Sequence, residues 1–126
     1  MSIIAYNHIW EVNFVEIVQL FKALADETRI RMLNLLRNGE LCVCDIEEVL
    51  GIQQSNASRH LNKLKGAGLI VSDKKSQWVY YRMNDEIVLK YPFVQMIIQD
   101  EILKIKICAS DMERLIIRKA SGTFCE

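Results

Sequence analysis

Phe14, Ile17, Val18, Phe21 and Leu24 recur at three- and four-residue intervals, so the chain over about residues 12–24 is predicted to be an amphipathic helix. Asp26 can cap a second helix carrying Ile30, Leu33 and Leu36, which Asn38 and Gly39 end by tolerating left-handed backbone. A short helix follows, about Asp45 to Leu50, and stops at Gly51. The polar run Gln53-Gln54-Ser55-Asn56 leads into a further helix that reaches about Lys65 and closes at Gly66 or Gly68. After Leu69-Ile70 the period changes. Val71–Lys74 and Trp78–Met83 are rich in β-branched and aromatic residues and flank Lys75-Ser76-Gln77, the pattern of a hairpin. Asn84 is placed to cap another helical segment and Pro92 suits the first turn of the next. Ser110 with Glu113 reads as a capping box before Met112, Leu115 and Ile116.

Two short helices joined by a tight, glycine-containing turn form a helix-turn-helix, and a hairpin directly behind the second helix is a wing. The expectation is a mainly α chain with a small β-hairpin: one winged helix-turn-helix domain over residues 1–126. Its recognition helix spans about 54–65 and its wing about 71–83. Length supports a single domain, since 126 residues with 51% hydrophobic and 25% charged positions can fill one core and cover it. No apolar run approaches the ~18–20 residues that cross a bilayer, and the start of the chain lacks the basic stretch and small-residue cleavage site of a signal peptide, so a cytoplasmic location is expected. Cysteines at 42, 44, 108 and 125 are too unevenly spaced for a disulfide framework and are read as thiols.

The formal net charge of zero argues against a nucleic-acid partner, but its distribution argues for one. From Gln53 to Met83 there are six basic residues (Arg59, Lys63, Lys65, Lys74, Lys75, Arg82) against the single acid Asp73. Just upstream, Glu40, Asp45, Glu47 and Glu48 have no compensating base. A phosphate-facing segment beside a cation-binding one has this character, although solvated faces also carry charge runs. On a helical wheel Ala57, Leu61 and Leu64 share one face, which leaves Ser55, Arg59, Asn62 and Lys63 pointing away. These residues suit base edges and phosphates in a major groove, or simply an exposed polar face. Lys74 and Lys75 at the hairpin tip can reach the backbone beside an adjacent minor groove, with Arg82 close by. Trp78, Tyr80 and Tyr81 are better explained by strand packing than by base stacking.

Cys42 and Cys44 lie one residue apart. On a regular helix that spacing puts them about 200° apart, whereas extended backbone puts them on one face. One ion is then chelated by both only if this stretch is extended or if the first turn of the following helix opens. Such opening would distort the helix-turn-helix and lower its affinity for DNA. Against this stands the reading in which two buried cysteines merely pack.

The successive segments Leu24-Ala-Asp-Glu-Thr-Arg-Ile-Arg-Met-Leu33, Glu40-Leu-Cys-Val-Cys-Asp45, Ser58-Arg-His-Leu61 and Trp78-Val-Tyr-Tyr-Arg82 resemble the signatures of the ArsR/SmtB metalloregulators, over about residues 12–83. The resemblance implies a homodimeric winged-helix repressor of double-stranded operator DNA, dimerised through its first and last helices, about 12–24 and 111–119. It implies release from the operator when a toxic metal ion binds. The DNA-contacting candidates are then Gln54, Ser55, Asn56, Ser58, Arg59, His60, Asn62, Lys63, Lys74 and Lys75, and the metal ligands are Cys42 and Cys44. Thiolates and the absence of a nearby imidazole favour As(III) or Sb(III) as inducer, with Cd(II), Pb(II) or Zn(II) ranked behind. Arsenic-responsive members often carry a third cysteine three residues after the second; here that position is Glu47. Cys108, Cys125 or an external thiol is left as a third ligand, which is expected to be optional. His8 is read as a packing or surface residue, and His60 as a support for its helix or a phosphate contact. Another site found between the last helices of some relatives uses Asp and His; no His follows His60, so that site is not expected. A thiol-based redox sensor of the same fold is the alternative function, weakened by the strain of a disulfide between cysteines this close. No phosphate loop or nucleophile arrangement suggests an enzyme.

Overall fold

The computed structural model describes residues 13–122. Helix α1 (Phe14–Leu24) is capped by Asn13, whose side chain accepts the Glu16 amide. Asp26 does the same for α2 (Glu27–Leu36), accepting the Arg29 amide. A two-residue strand β1 (Leu41–Cys42) runs directly into α3 (Val43–Leu50), and Gly51, in the left-handed region at φ 66°, ends that helix. Helix α4 (Gln54–Gly66) follows, and with α3 it makes the helix-turn-helix. Strands β2 (Ile70–Lys75) and β3 (Trp78–Met83) form the wing. Then come α5 (Asp85–Lys90), capped by Asn84, and α6 (Pro92–Met96) with Pro92 in its first turn. A π-helical turn (Ile97–Glu101) and a 3₁₀ turn (Ile102–Lys104) lead to the final helix α7 (Lys106–Ala120).

Helix α2 is the centre of the core. Met32, Leu33, Leu35 and Leu36 are fully buried against Leu20 and Leu24 of α1, Ile46 and Leu50 of α3, Ala57, Leu61 and Leu64 of α4, and Leu69 and Ile70. The architecture is a winged helix-turn-helix, mostly helical with one small antiparallel sheet. Among the described residues no helix is long and apolar enough to cross a membrane.

Three features differ from the sequence-based expectation. The sheet has three strands in the order β1-β3-β2, because Leu41 pairs with Tyr81 and Cys42 with Tyr80. A strand of two residues carries too little periodicity to be seen in sequence. The hairpin turn is Ser76-Gln77 alone, with Lys75 paired to Trp78 and Ser76 at φ 60°. Finally, Ser110 and Glu113 cap nothing. The buried stripe Cys108, Met112 and Leu115 already has helical spacing, so α7 starts a turn ahead of Ser110, and both Ser110 and Glu113 are exposed within it. Cys108 therefore lies buried in the first turn of α7.

Candidate DNA-binding surface and thiol site

Burial of Ala57, Leu61 and Leu64 fixes the rotation of α4 and turns Gln54, Ser55, Arg59, Asn62 and Lys63 to solvent, with Asn56 and Ser58 half-buried at the edges of that face. Arg59 lies along its own helix, donating through Nη2 to Asn56 Oδ1 at 2.7 Å. On the wing, Lys74 and Lys75 alternate to opposite faces, as consecutive strand residues must. Lys74 is exposed and makes no ion pair among the described residues. Lys75 turns back: its Nζ is 2.5 Å from Glu40 Oε1 and 5.1 Å from the centre of the Tyr80 ring.

His60 is 5% exposed, so it is no surface contact, and its expected place among the DNA-contacting residues is corrected. Its Nδ1 lies 3.1 Å from Arg29 Nη1 and 3.7 Å from Asp26 Oδ1. Nε2 lies 3.3 Å from Arg59 Nη2. Burial first, then the neighbouring guanidinium groups, push the imidazole below its ordinary pKa, with Asp26 opposing. Arg29 anchors the arrangement. Its Nε donates to Ala23 O at 2.7 Å and its Nη2 to Lys22 O at 3.2 Å, the latter also accepting the Ala25 amide at the end of α1. One buried guanidinium thus joins α1, α2 and the recognition helix.

The thiol pair sits where β1 becomes α3. Cys42 is extended at φ −70°, ψ 146°, while Cys44 lies in the first turn of the helix, and the change of direction between them brings the two sulfurs to 3.3 Å. The expectation that chelation requires a wholly extended stretch or an opened turn is therefore corrected: the strand-to-helix junction already converges the pair. Cys42 is a buried free thiol, and burial pushes its pKa up while the amides of Cys44 and Asp45 at the start of α3 pull the other way. Cys44 is half-buried and, unlike the free thiols of Cys42 and Cys108, is disulfide-bonded, so the expectation that the cysteines are all thiols is corrected at this position. Glu47 is half-buried on the same helix, its carboxyl raised by burial. Among the described residues no group of three or more His, Cys, Asp and Glu is placed to hold a metal ion.

The family profile described as "Bacterial regulatory protein, arsR family" matches residues 26–72, which run from the cap of α2 through both helices of the helix-turn-helix into β2. A solved structure of HlyU from Vibrio cholerae superimposes with a TM-score of 0.59 at 32% identity, over 68% of this chain and 94% of that one. The chain belongs to the arsR family. Two curated relatives of the family are closer in sequence. The arsenic resistance transcriptional regulator ArsR1 of Pseudomonas putida is 47% identical over 82 residues, 64% of this chain and 62% of the relative. The arsenical resistance operon repressor of Escherichia coli is 46% identical over 77 residues, 60% of this chain and 66% of the relative. The chain therefore spans a little under two thirds of the length of these relatives. They are transcriptional regulators by name.

Within this arsR-family chain, the residues that sequence reasoning missed are those acting across long separations. Arg29 reaches His60 over 31 positions. Arg118 Nε donates to Asp45 Oδ1 at 2.8 Å, tying α7 to the helix that carries Cys44. Arg114 donates to Val49 O at 3.2 Å from Nη2 and also contacts Asp111, whose fully buried carboxylate takes both Nε and Nη2 of Arg31, at 2.7 and 2.9 Å. Asn34 Nδ2 donates to Cys108 O at 2.7 Å. Basic residues in the last turns of α7 were a sequence-level sign of helix-end chemistry, but nothing local names their partners. Cys125 and His8 lie outside the described residues.

Proposed function

We propose that the protein is a cytoplasmic, homodimeric transcriptional repressor that binds operator DNA through α4 and the wing, and leaves it when Cys42 and Cys44 take up a thiophilic ion, As(III) or Sb(III) before Cd(II), Pb(II) or Zn(II). The observation that carries the reading is the convergence of the two sulfurs at the β1–α3 junction. The arsenic-resistance relatives favour the same ion class. When bound, the ion supplies two strong bonds to sulfur and so sets the distance and angle between strand and helix.

This chain's own residues connect that junction to both DNA-contacting elements. Cys42 is paired with Tyr80 in β3, so a displacement of β1 is felt along the wing. Cys44 is on α3, which turns through Gly51 directly into α4. A coupling of about 1–3 kcal/mol, roughly 5–150-fold in affinity, is the usual scale of such a switch. On the DNA side, Arg59, Asn62 and Lys63 with Gln54, Ser55, Asn56 and Ser58 form the reading face, and Lys74 is the foremost phosphate contact of the wing.

The test is an anisotropy titration with the DNA upstream of the chain's own gene, repeated with each of the five ions. Arsenite or antimonite should release the DNA. Cys42→Ser and Cys44→Ser should bind the operator with native affinity and fail to release it. Release by peroxide but by none of the ions would favour the redox reading instead.

A further inference from the structure

His60 is the one imidazole among the described residues, and it is buried on α4 directly beside the exposed Arg59. Its Nδ1 faces Arg29 Nη1 at 3.1 Å and Asp26 Oδ1 at 3.7 Å, and its Nε2 faces Arg59 Nη2 at 3.3 Å. A guanidinium only donates hydrogen bonds, while a neutral imidazole has one acceptor nitrogen and one N–H. The ring therefore accepts from one arginine alone. The acceptor beside it is the Asp26 carboxylate, on the Nδ1 side, whereas an N–H at Nε2 would point at the Arg59 guanidinium. A proton on Nδ1 and a lone pair at Nε2 is the arrangement in which both nitrogens meet a group of matching sense. Arg29 does not depend on that lone pair. Its Nε and Nη2 hold the carbonyls of Ala23 and Lys22, and its Nη1 lies 3.7 Å from Asp26 Oδ2.

Arg59 has a different balance. What fixes this exposed side chain is a pair of contacts at one nitrogen, Nη2, which donates to Asn56 Oδ1 at 2.7 Å and meets His60 Nε2 at 3.3 Å. They use both hydrogens of Nη2 and leave Nε and Nη1 for DNA. An arginine already held in one pose loses less rotamer freedom on binding than one that swings free. Of the two holding groups, Asn56 stands at the edge of the reading face and can exchange its contact for a base, while His60 is buried and keeps its place.

We propose that His60 is a positioning residue for DNA reading: its neutral imidazole, with the proton on Nδ1 and the lone pair at Nε2, holds Arg59 in the pose that meets a base edge. The inference rests on the reading of α4 as the DNA-contacting helix, and adds to it a buried residue that touches no DNA. Asp26 serves two ends, capping α2 through Oδ1 and drawing the ring proton to Nδ1. A protonated ring would have no lone pair for Arg59 and would stand against Arg29, Arg59 and Lys63 with Asp26 alone in its favour.

Asparagine and glutamine separate the two ring nitrogens, because the amide of Asn reaches the place of Nδ1 and that of Gln the place of Nε2. His60→Gln should therefore keep an acceptor for Arg59, and His60→Asn should lose it. Each variant is titrated by anisotropy against the DNA upstream of the chain's own gene, against that DNA with single base-pair substitutions, and against an unrelated duplex. Arg59→Ala marks the base pair that Arg59 reads, as the position where preference relaxes. There His60→Asn should lose at least about 5-fold in discrimination, the lower end of what one base contact supplies, and His60→Gln should stay near the native value. In the Arg59→Ala background His60→Asn should add no further loss, because it acts through the arginine. Affinity for the unrelated duplex, set by phosphate contacts, should stay within about twofold. In the ¹⁵N-labelled native protein at neutral pH, the His60 ring should show a pyrrole-type Nδ1 and a pyridine-type Nε2; where His60→Asn loses helix content, this tautomer decides alone. The inference is overturned if the proton is found on Nε2, if His60→Asn discriminates like the native chain, or if it weakens the unrelated duplex as much as the operator. If Arg59→Ala relaxes no position, the reading of α4 itself fails and takes this inference with it.

Discussion

Lys74 and Lys75 are neighbours in sequence and opposites in the hairpin. Lys74 faces solvent without an ion pair among the described residues, while Lys75 is held by Glu40. Lys74→Ala should therefore lower affinity for all DNA sequences and reduce the salt-dependence slope by about one unit, as one lost phosphate contact does. Lys75→Ala should lower the slope by less than half as much; equal slopes in the two variants would show that Lys75 abandons Glu40 on DNA. His60 makes a second residue-level prediction. Its pKa lies below the ordinary 6.5 in the folded state because burial disfavours the charged ring, so the unfolded chain binds the proton more readily. Stability should be level above pH 6.5 and fall as pH drops from there towards the lowered folded value. His60→Gln, which keeps a neutral acceptor, should lose that slope in thermal unfolding followed across pH 5–8. A native curve parallel to that of the variant would contradict the buried-imidazole reading. The solvent-facing positions of α4 were legible in sequence because three core residues fix the helix rotation. The burial of His60 was not, since it depends on an arginine contributed by a different helix.

At the scale of elements, legibility follows periodicity. The helices with long apolar stripes and side-chain caps, α1 and α2, could be placed from the sequence, and the wing from its switch to β-branched and aromatic residues. Strand β1 could not, although its pairing with β3 makes it the link between thiol site and wing. The same holds for the attachment of α7 to α3 through Arg118 and Asp45, whose side chains are 17% and 13% exposed. A charge-assisted hydrogen bond at this depth contributes about 1.5–3 kcal/mol. Arg118→Gln should accordingly lower unfolding stability by about that amount, and Asp45→Asn in the Arg118→Gln background should cost much less than it does alone. Strict additivity of the two changes in denaturant unfolding would mean that the contact contributes nothing. Lys104→Gln, which removes a pair whose members are 70% and 56% exposed, is the control and should stay within about 0.5 kcal/mol.

The whole molecule leaves unpaired apolar surface on the two helices expected to build a dimer. Phe14 and Val15 on α1 are 81% and 69% exposed, and Ile116 and Ile117 on α7 are 60% and 63% exposed. Single exposed apolar residues are ordinary, but adjacent pairs of this size on the first and last described helices are the kind of surface that association covers. On the same helices Leu115 is 4% exposed within the protomer's own core, while Phe21 stacks on Phe93 with ring centres 5.0 Å apart and keeps 53% of its surface exposed. We propose that Phe14, Val15, Ile116 and Ile117 carry the dimer interface. A two-fold dimer places its two recognition helices in major grooves about 34 Å apart, and the second half-site then binds as an intramolecular event. Affinity for a full operator gains roughly 10²-fold or more from that arrangement. Ile116→Glu combined with Phe14→Glu should sediment as a monomer at micromolar concentration. It should keep its helix content and its affinity for a single half-site, and lose the 10²-fold advantage on the full operator. A native chain that sediments as a monomer, or a charged variant that still binds the full operator like the native protein, would remove the dimer from the account of DNA binding.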